Sequence, residues 1–349
     1  MAHHLSIDLE TYSSVDLKKS GMFKYIESPD YQILLFAYSI DGEPVQVIDL
    51  ATGEQIPPWL AAALRDPGFI KHAYNAAFEW GGLSKYFGTL PVDQWRCTMF
   101  HGLYCGYTAG LEATGKALGL AADKQKLNSG KALIRYFCVP CRPTKTNGGR
   151  TRNLPHHDPD KWALFKEYNR RDVETEMEIE RRLSAFPVPD FVQKEWETDL
   201  RINARGVMVD MNLVSGALTM GANTRAALID EAERISGLRN PNSVKQLREW
   251  LGEELDEEVT NLNKETVAHL LNRDDNSDAV QRMLELRQEL GKTSTKKYDA
   301  IEAAVCADGR VRGLLQFYGA NRTGRWAGRL VQVQNLPRTY TEPLSLARD

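Results

Sequence analysis

The sequence predicts an α/β fold with a mixed sheet in the amino-terminal half, an all-α domain after it, and a few β-strands at the carboxy end. Strand and helix signals alternate over residues 1–187, whereas almost only helical patterns fill residues 190–304. After Gly309, apolar and polar residues alternate again in a stretch rich in glycine and arginine. Pro187 and Pro189 mark the first domain boundary.

The composition is that of an ordinary globular protein with two or three domains. The chain has 349 residues, of which 42% are hydrophobic and 26% are charged. The net charge of -3 excludes a positive field over the whole protein, so a nucleic-acid surface would have to be local. We find no signal peptide and no apolar run that could span a bilayer, and the five cysteines do not suggest a disulfide framework. We therefore expect a cytoplasmic protein without a membrane partner.

Three strands are predicted in the first region. They are the stretches "LSIDLET", "YQILLFAYSID" and "PVQVIDL", and Gly42 lies in a turn between the last two, which predicts a hairpin. Helical patterns follow in the stretches "PPWLAAALRD", "NAAFEWGGLSKYFG", "TMFHGLYCGY", "LEATGKALGL", "GKALIRYF" and "PDKWALFKEYNRRDVETEMEIERRLSAF". Strands first and helices later predict a mixed sheet flanked by helices.

The second and third regions differ in what they can bury. In the second, helix follows helix, and Asn242 and Ser243 provide N-cap chemistry for one of them. In the third, paired strands are predicted with no helix to cover them, and such strands cannot bury a face alone. We therefore expect residues 310–349 to expose an apolar face and an unpaired strand edge.

A zinc site is one possible interpretation of the cysteines. Cys138 and Cys141 have CxxC spacing, with His156 and His157 downstream. The intervening stretch "RPTKTNGGRTRNLP" has the composition of a flexible basic loop, which disfavours a compact zinc knot.

Acidic residues at regular spacing suggest a different metal site. Asp8 and Glu10 are two apart on a predicted strand, so their side chains leave the same face. Tyr168 and Asp172 are four apart on a predicted helix, and Glu79 lies near another helix start. Each pattern alone also fits solvated acids or a packed tyrosine. Together the four carboxylates could hold two hard dications, with the tyrosine beside them to position a water molecule.

Three motifs carry a resemblance to a known family. "IDLET", "NAAFE" and "YNRRD" resemble the motifs of the DEDD 3'-5' exonucleases of the tyrosine branch, which have a ribonuclease-H-like fold and stand at the amino end of family A DNA polymerases. The resemblance implies two divalent metal ions, Mg²⁺ or Mn²⁺, bridged by Asp8. Glu10 and Asp172 would complete the first metal site and Glu79 would support the second. Tyr168 would orient the attacking water.

The second motif departs from the family pattern. Glu79 stands where the cellular enzymes carry aspartate. The longer side chain keeps the charge but moves the carboxylate by one methylene group, which would change its position at the second metal site. Asn75, which opens this motif, is assigned to DNA binding.

The resemblance continues over the rest of the chain. "LRNPNSVKQLREWLGEEL" and "RQELGKTSTKKY" resemble the thumb of family A polymerases, and "GANRTGRWAGRLVQVQNLPR" resembles the start of the palm. This implies phosphate contacts by the thumb lysines, a minor-groove contact by Arg325 and further duplex contacts in the palm. The other residues implied are Lys292, Lys296, Lys297, Arg322, Gln334 and Asn335. The alternative for them is a solvated helix face or a strand turn.

The resulting interpretation is the amino-terminal part of a phage-like family A DNA polymerase, including its proofreading exonuclease. Its domains would be an exonuclease (1–187), a thumb (190–304) and the incomplete start of a palm (305–349). Motifs that hold the polymerase metals do not occur before Asp349, so no nucleotide incorporation is expected. The expected partner is DNA, as a single-stranded 3' end and as primer-template duplex. The alternatives are a free-standing 3'-5' exonuclease, or a non-catalytic DNA-gripping subunit completed by a separate polypeptide with the rest of the palm and fingers.

Overall fold

The computed structural model describes residues 2–120, 130–291, 296–320 and 323–335. Contacts divide them into two compact units. The first unit comprises Met1–Val209 and Ala303–Asn335, and the second contains Asp210–Glu302. The first unit thus continues past the two prolines and includes the last described strands. The assignment of exonuclease, thumb and palm to the three predicted ranges stays a prediction.

A five-stranded mixed sheet forms the centre of the first unit, in the order β3-β2-β1-β4-β5. The strands are β1 (His3–Tyr12), β2 (Gln32–Ile40), β3 (Gln46–Asp49), β4 (Phe69–Ala73) and β5 (Trp95–Cys97). β1 to β3 are antiparallel neighbours, whereas β1–β4 and β4–β5 are parallel. The predicted mixed sheet and the hairpin at Gly42 are confirmed. β4 and β5 were not predicted.

Helices of the first unit flank this sheet. They are α1 (Leu17–Glu27), α2 (Pro58–Ala63), α3 (Ala77–Phe87), α4 (Thr98–Tyr104), α5 (Leu111–Ala117), α6 (Gly130–Phe137), α7 (Pro159–Leu183) and α8 (Asp190–Arg205). Asp158 caps α7 by accepting from the Lys161 backbone N–H at 3.1 Å. The long α7 packs across β1 and β2, which places its inward face over the strand that carries Asp8 and Glu10.

The carboxy-terminal strands β7 (Arg310–Val311), β8 (Leu315–Ala320) and β9 (Arg325–Gly328) pack against other elements of the first unit, which corrects the expectation of an exposed apolar face. β7 pairs with the short β6 (Val207–Met208), which follows α8. Phe317 packs into the same core as Trp196 of α8 and lies 5.2 Å from the Phe100 ring of α4. Asn203 of α8 pairs with both backbone groups of Leu315, at 3.0 Å each. The error arose because α8 was assigned to the helical domain, although its apolar face covers these strands.

The second unit is helical, as predicted. Its helices include α9 (Met211–Ser236), α10 (Val244–Leu255), α11 (Lys264–Leu271) and α12 (Asp278–Leu290), and α13 (Lys296–Ala304) follows them. Ser243 caps α10, as its residue type and position predicted, because its side chain accepts a hydrogen bond from the Gln246 N–H. Leu251 and Leu284 lie in a core shared by these helices. In the part of the chain that the structure describes, no helix combines the length and apolarity needed to cross a membrane.

Candidate active site

Three carboxylates meet where α7 crosses β1. Asp8 and Glu10 leave the same face of the strand, and Asp172 reaches them from the helix. Each offers an oxygen, and these oxygens all lie within 4.8 Å of one another. Among the described residues, this is the one group of three or more His, Cys, Asp or Glu side chains gathered so closely. The structure therefore brings together three of the four predicted acids.

Asn169 is a residue of this site that the sequence analysis missed. Its Nδ2 donates to Asp8 Oδ2 at 2.6 Å and to the Asp8 backbone oxygen at 3.3 Å. The side chain is fully buried, and its Oδ1 has no hydrogen-bond partner among the described residues. The available signal was its position three residues before Asp172, which puts both on one helix face. The amide fixes one oxygen of Asp8 and so orients the carboxylate.

Tyr168 combines a packed ring with a hydroxyl at the acidic cluster. The ring stacks on Phe165 at 6.1 Å between centroids, and a Cβ on Gly130 would lie 2.0 Å from Tyr168 Cε2. Burial, followed by the charges of Asp172 and Glu10, raises the pKa of the phenol, which also hydrogen-bonds to Asp172. The hydroxyl therefore stays protonated and can donate a hydrogen bond.

Glu79 lies in the first turn of α3, outside the group of three acids. It is buried, and its Oε2 has no hydrogen-bond partner among the described residues. Burial raises the pKa of this carboxyl well above its usual range, and the charges of Asp8 and Glu176 raise it further. Glu79 thus interacts with the Asp8 carboxylate and offers an oxygen that needs a partner.

Two more acids continue the row along α7. Glu176 accepts a hydrogen bond from Thr98 of α4, and burial raises its pKa to about 7. Glu180 lies 3.1 Å from Nδ1 of His101, also on α4. The sequence analysis did not single them out, although both follow Asp172 at four-residue spacing. The buried Glu176 and the half-buried Glu180 therefore extend the acidic face of α7 beyond the three-acid cluster.

The donor set fits a hard divalent cation. Three close carboxylates repel one another unless a cation or protons lie between them, and carboxylate oxygens are the ligands that Mg²⁺ and Mn²⁺ prefer. Among the described residues, Cys138, Cys141, His156 and His157 do not gather into a zinc site. Cys138 Sγ lies 3.8 Å from Glu10 Oε2, whereas Cys141 Sγ donates to the Arg150 carbonyl oxygen. His157 Nδ1 instead accepts from the Leu154 N–H.

The predicted DNA-contacting residues lie apart from the acidic cluster in sequence, and most are exposed. Asn75 is exposed just before α3 and adopts a left-handed φ of 73°. The remaining described ones are Lys296 and Lys297 in the first turn of α13, Arg325 on β9, and the exposed Gln334 and Asn335. Lys292 and Arg322 lie outside the described residues.

Comparisons with known proteins identify the chain's relatives. No protein-family profile matches it. A DNA polymerase from Bacillus phage SP02 is 51% identical to it over 346 residues, which are 99% of this chain and 53% of that protein. The chain is a DNA polymerase homologue. It spans about half the length of this relative.

Solved structures show the fold of this polymerase homologue. The POL domain of Pol1 from M. smegmatis, solved in complex with DNA primer-template and dNTP, has a TM-score of 0.54 at 17% identity and matches 98% of this chain and 53% of its own. Escherichia coli RNase D, an exoribonuclease, matches 92% of this chain and 75% of its own at 16% identity, but its TM-score of 0.34 is too low to support an inference.

Proposed function

We propose that the first unit is a metal-dependent 3'-5' exonuclease that removes nucleotides from single-stranded 3' ends of DNA. In this proposal it is the proofreading part of a family A DNA polymerase. The observation that carries the proposal is the convergence of Asp8, Glu10 and Asp172 within 4.8 Å. The homology to a phage DNA polymerase supports DNA as the substrate.

The proposed cofactors are two divalent cations, Mg²⁺ or Mn²⁺. Asp8, Glu10 and Asp172 would hold one, and Asp8 with Glu79 would hold the other. When bound, such ions stabilise the negative charge that develops on a phosphodiester during hydrolysis.

The chain's own residues position the reactants. Asn169 holds one Asp8 oxygen by a hydrogen bond of 2.6 Å, so this carboxylate has a defined orientation before any ligand arrives. Tyr168 stays neutral because burial raises its pKa, and its hydroxyl can hold the attacking water in line with the phosphorus. The packed Tyr168 ring cannot swing away, because Phe165 and Gly130 lie against it.

We further propose that basic residues of the polymerase-like segments contact duplex DNA. Lys296 and Lys297 would bind backbone phosphates, and Arg325 the minor groove at a primer terminus. Nucleotide incorporation would require palm and fingers motifs that these 349 residues do not contain, supplied by the same or a separate polypeptide. An affinity for duplex DNA that falls steeply as the salt concentration rises supports the proposed contacts. An affinity that does not change with salt concentration contradicts them.

The proposed exonuclease activity can be tested by measuring the length of the products formed from a labelled oligonucleotide. A single-stranded DNA oligonucleotide labelled at its 5' end is incubated with the protein and MgCl₂. We expect a ladder that shortens by single nucleotides, that EDTA abolishes, and that Asp172→Asn nearly abolishes. Release of the 5' label as a mononucleotide, internal cuts, or full activity in EDTA would contradict the proposal.

A further inference from the structure

A basic loop, defined here as residues 139–153, follows α6 and contains no acidic residue. Its four cations are Arg142, Lys145, Arg150 and Arg152. None of them forms an ion pair with another described residue, whereas Arg170 and Arg171 of α7 both pair with Glu174. Cations that have no ion-pair partner among the described residues make this loop a local positive surface in a protein of net negative charge.

The loop has a defined shape, contrary to the flexible loop that its composition suggested. Asn147 organises it, since its Nδ2 donates to the Arg142 carbonyl at 2.9 Å and its Oδ1 accepts from the Thr144 and Gly149 N–H groups at 2.9 and 3.1 Å. Arg150 Nε donates to Asn153 Oδ1 at 2.8 Å. A ligand that binds here would lose little affinity to ordering of the loop.

Both ends of the basic loop contact the strand that carries the carboxylates. Cys138, immediately before the loop, lies 3.8 Å from Glu10 Oε2. At the other end, the Arg152 guanidinium lies 3.7 Å from the centroid of the Tyr12 ring, and Tyr12 is two residues beyond Glu10 on β1. Tyr12 and Tyr168 belong to the same buried cluster. The loop is therefore anchored beside the acidic cluster.

We infer that the basic loop binds the phosphates of a DNA single strand upstream of the 3' end that lies at Asp8, Glu10 and Asp172. This inference rests on the proposed exonuclease function. A strand rises about 3.3 Å per residue, so Asp8 and Tyr12 are about 13 Å apart, a span of a few nucleotides. The carboxylates repel a polyanion, and the Arg152 guanidinium, which lies over the Tyr12 ring, offsets the repulsion without entering the site. Arg142 and Lys145, both exposed, would contact the backbone.

Oligonucleotides of different length test this inference. Arg142→Gln combined with Lys145→Gln removes two exposed charges, and the matched control combines Lys18→Gln with Lys194→Gln, two exposed lysines on α1 and α8. Binding of labelled single strands of three and ten nucleotides, and of a blunt duplex, is measured by fluorescence anisotropy in EDTA. We expect the loop variant to bind the ten-nucleotide strand about 10-fold more weakly and its log-log salt slope to fall by about 1.4, or 0.7 for each of two phosphate contacts.

The three-nucleotide strand should bind the loop variant and the parent equally, and the control should match the parent in every case. Restoring the charges as Arg142→Lys with Lys145→Arg should restore binding of the long strand. Unchanged affinity and salt slope for the long strand would overturn the inference. So would an equal loss for both lengths, or a larger loss for blunt duplex than for single strand.

Hydrolysis of the p-nitrophenyl ester of thymidine 5'-monophosphate separates this inference from the proposed function. The ester has no upstream phosphates, so the loop variant should hydrolyse it at the parent rate in MgCl₂. A parent protein that fails to hydrolyse both this ester and DNA contradicts the exonuclease itself. A parent that is active, with a loop variant that keeps full affinity for the long strand, contradicts the loop's role alone.

Discussion

The Tyr168 ring is buried against Phe165 and Gly130, whereas its hydroxyl lies at the carboxylates. The packing fixes where the hydroxyl points, and the acids around it keep it protonated. A tyrosine in such a place contributes to stability through its ring and to hydrolysis through its oxygen, so the two contributions can be separated by removing the oxygen alone.

Tyr168→Phe should lower the rate of 3'-end hydrolysis by about 10- to 1000-fold, because the water loses its hydrogen-bond partner while the carboxylates remain in place. The rate is measured on single-stranded DNA under single-turnover conditions. Tyr74→Phe is the matched control, since it also removes a hydroxyl, one that bonds Thr114 at 3.0 Å. Equal rates for Tyr168→Phe and the parent would leave Tyr168 with a packing role only.

Asn169→Leu should raise the Mn²⁺ concentration needed for half-maximal binding by about 10- to 100-fold, because Asp8 loses the amide that orients it. Mn²⁺ binding is followed by electron paramagnetic resonance, which requires no turnover. Asn203→Leu also removes a buried amide, one that bonds Leu315, and should lower stability without changing Mn²⁺ affinity. If both variants bind Mn²⁺ like the parent, Asn169 does not position a metal ligand.

Glu79→Asp tests the departure from the family pattern. If the backbone of α3 fits the longer acid, the shorter side chain cannot reach the second ion, and the Mg²⁺ needed for half-maximal hydrolysis should rise by about 10-fold. Glu79→Gln, which keeps the length and removes the charge, should have at least as large an effect. Magnesium titrations identical to the parent's would show that Glu79 is not a ligand, and a gain in activity would show that it impairs the site.

At the scale of elements, α7 brings the site together. Tyr168, Asp172, Glu176 and Glu180 follow one another at four-residue spacing, and the first three carry polar groups into the interior over about 12 Å of the helix. At the far end of this row, Glu180 bonds His101 of α4. Burial alone would lower the pKa of His101, but its hydrogen bonds to Glu180 and the Phe186 carbonyl outweigh burial and raise it.

Glu180→Gln should therefore destabilise the protein in a pH-dependent way. Because the folded-state pKa of His101 is raised, the contribution of the pair is present below pH 6.5 and is lost as the pH rises through that folded-state pKa. We expect a loss of about 1–2 kcal/mol at pH 6 and a smaller loss at pH 9, from urea unfolding. Burial lowers the pKa of the neighbouring His72 to about 4, so His72 stays neutral at both pH values.

The control for this prediction is Glu178→Gln on the same helix. Glu178 pairs with Arg181 and Arg182 at the surface, and these arginines stay charged at both pH values. Glu178→Gln should lower the free energy of unfolding by less than about 1 kcal/mol at either pH. A loss in Glu180→Gln that is equal at pH 6 and pH 9 would rule out a charged His101 as its cause.

The spacing of apolar residues in the sequence predicted the helices and strands that have a strong hydrophobic periodicity, and it missed those that lack one. β4 and β5 escaped prediction because both are short, and β4 also includes the buried polar residues Lys71 and His72. α1 escaped because Gly21, with a φ of 78°, interrupts its helical pattern. The apolar face of α8 was visible in the sequence, but a local pattern does not say against which element a face packs.

The same limit applies to the candidate site. Asp8, Glu10 and Asp172 were predicted because spacing alone puts each acid on a definite face and the motifs add their order. Asn169 was missed because an asparagine in a helix has the pattern of a solvent-exposed residue, and its bond to Asp8 joins positions 161 residues apart. Residues that act through such long-range contacts require the structure.

At the scale of the whole molecule, the first compact unit contains the carboxylates, their supporting residues and the basic loop. Its sheet holds Asp8 and Glu10, and its longest helix holds Tyr168 and Asp172. The 51% identity to a phage DNA polymerase extends over both compact units. The first unit thus contains every residue on which the proposed hydrolysis depends, whereas the proposed duplex contacts are divided between Lys296 and Lys297 of the second unit and Arg325 of the first.

The most direct test of this account is the single-turnover rate of Mg²⁺-dependent hydrolysis from the 3' end of single-stranded DNA, compared between the parent chain and Asp8→Asn. Asp8 is the proposed ligand of both ions, so its conversion to a neutral amide should lower the rate by at least about 100-fold. Glu43→Gln, which removes an exposed carboxylate on the same unit, should leave the rate unchanged. A rate in Asp8→Asn within a few-fold of the parent would contradict the proposed active site.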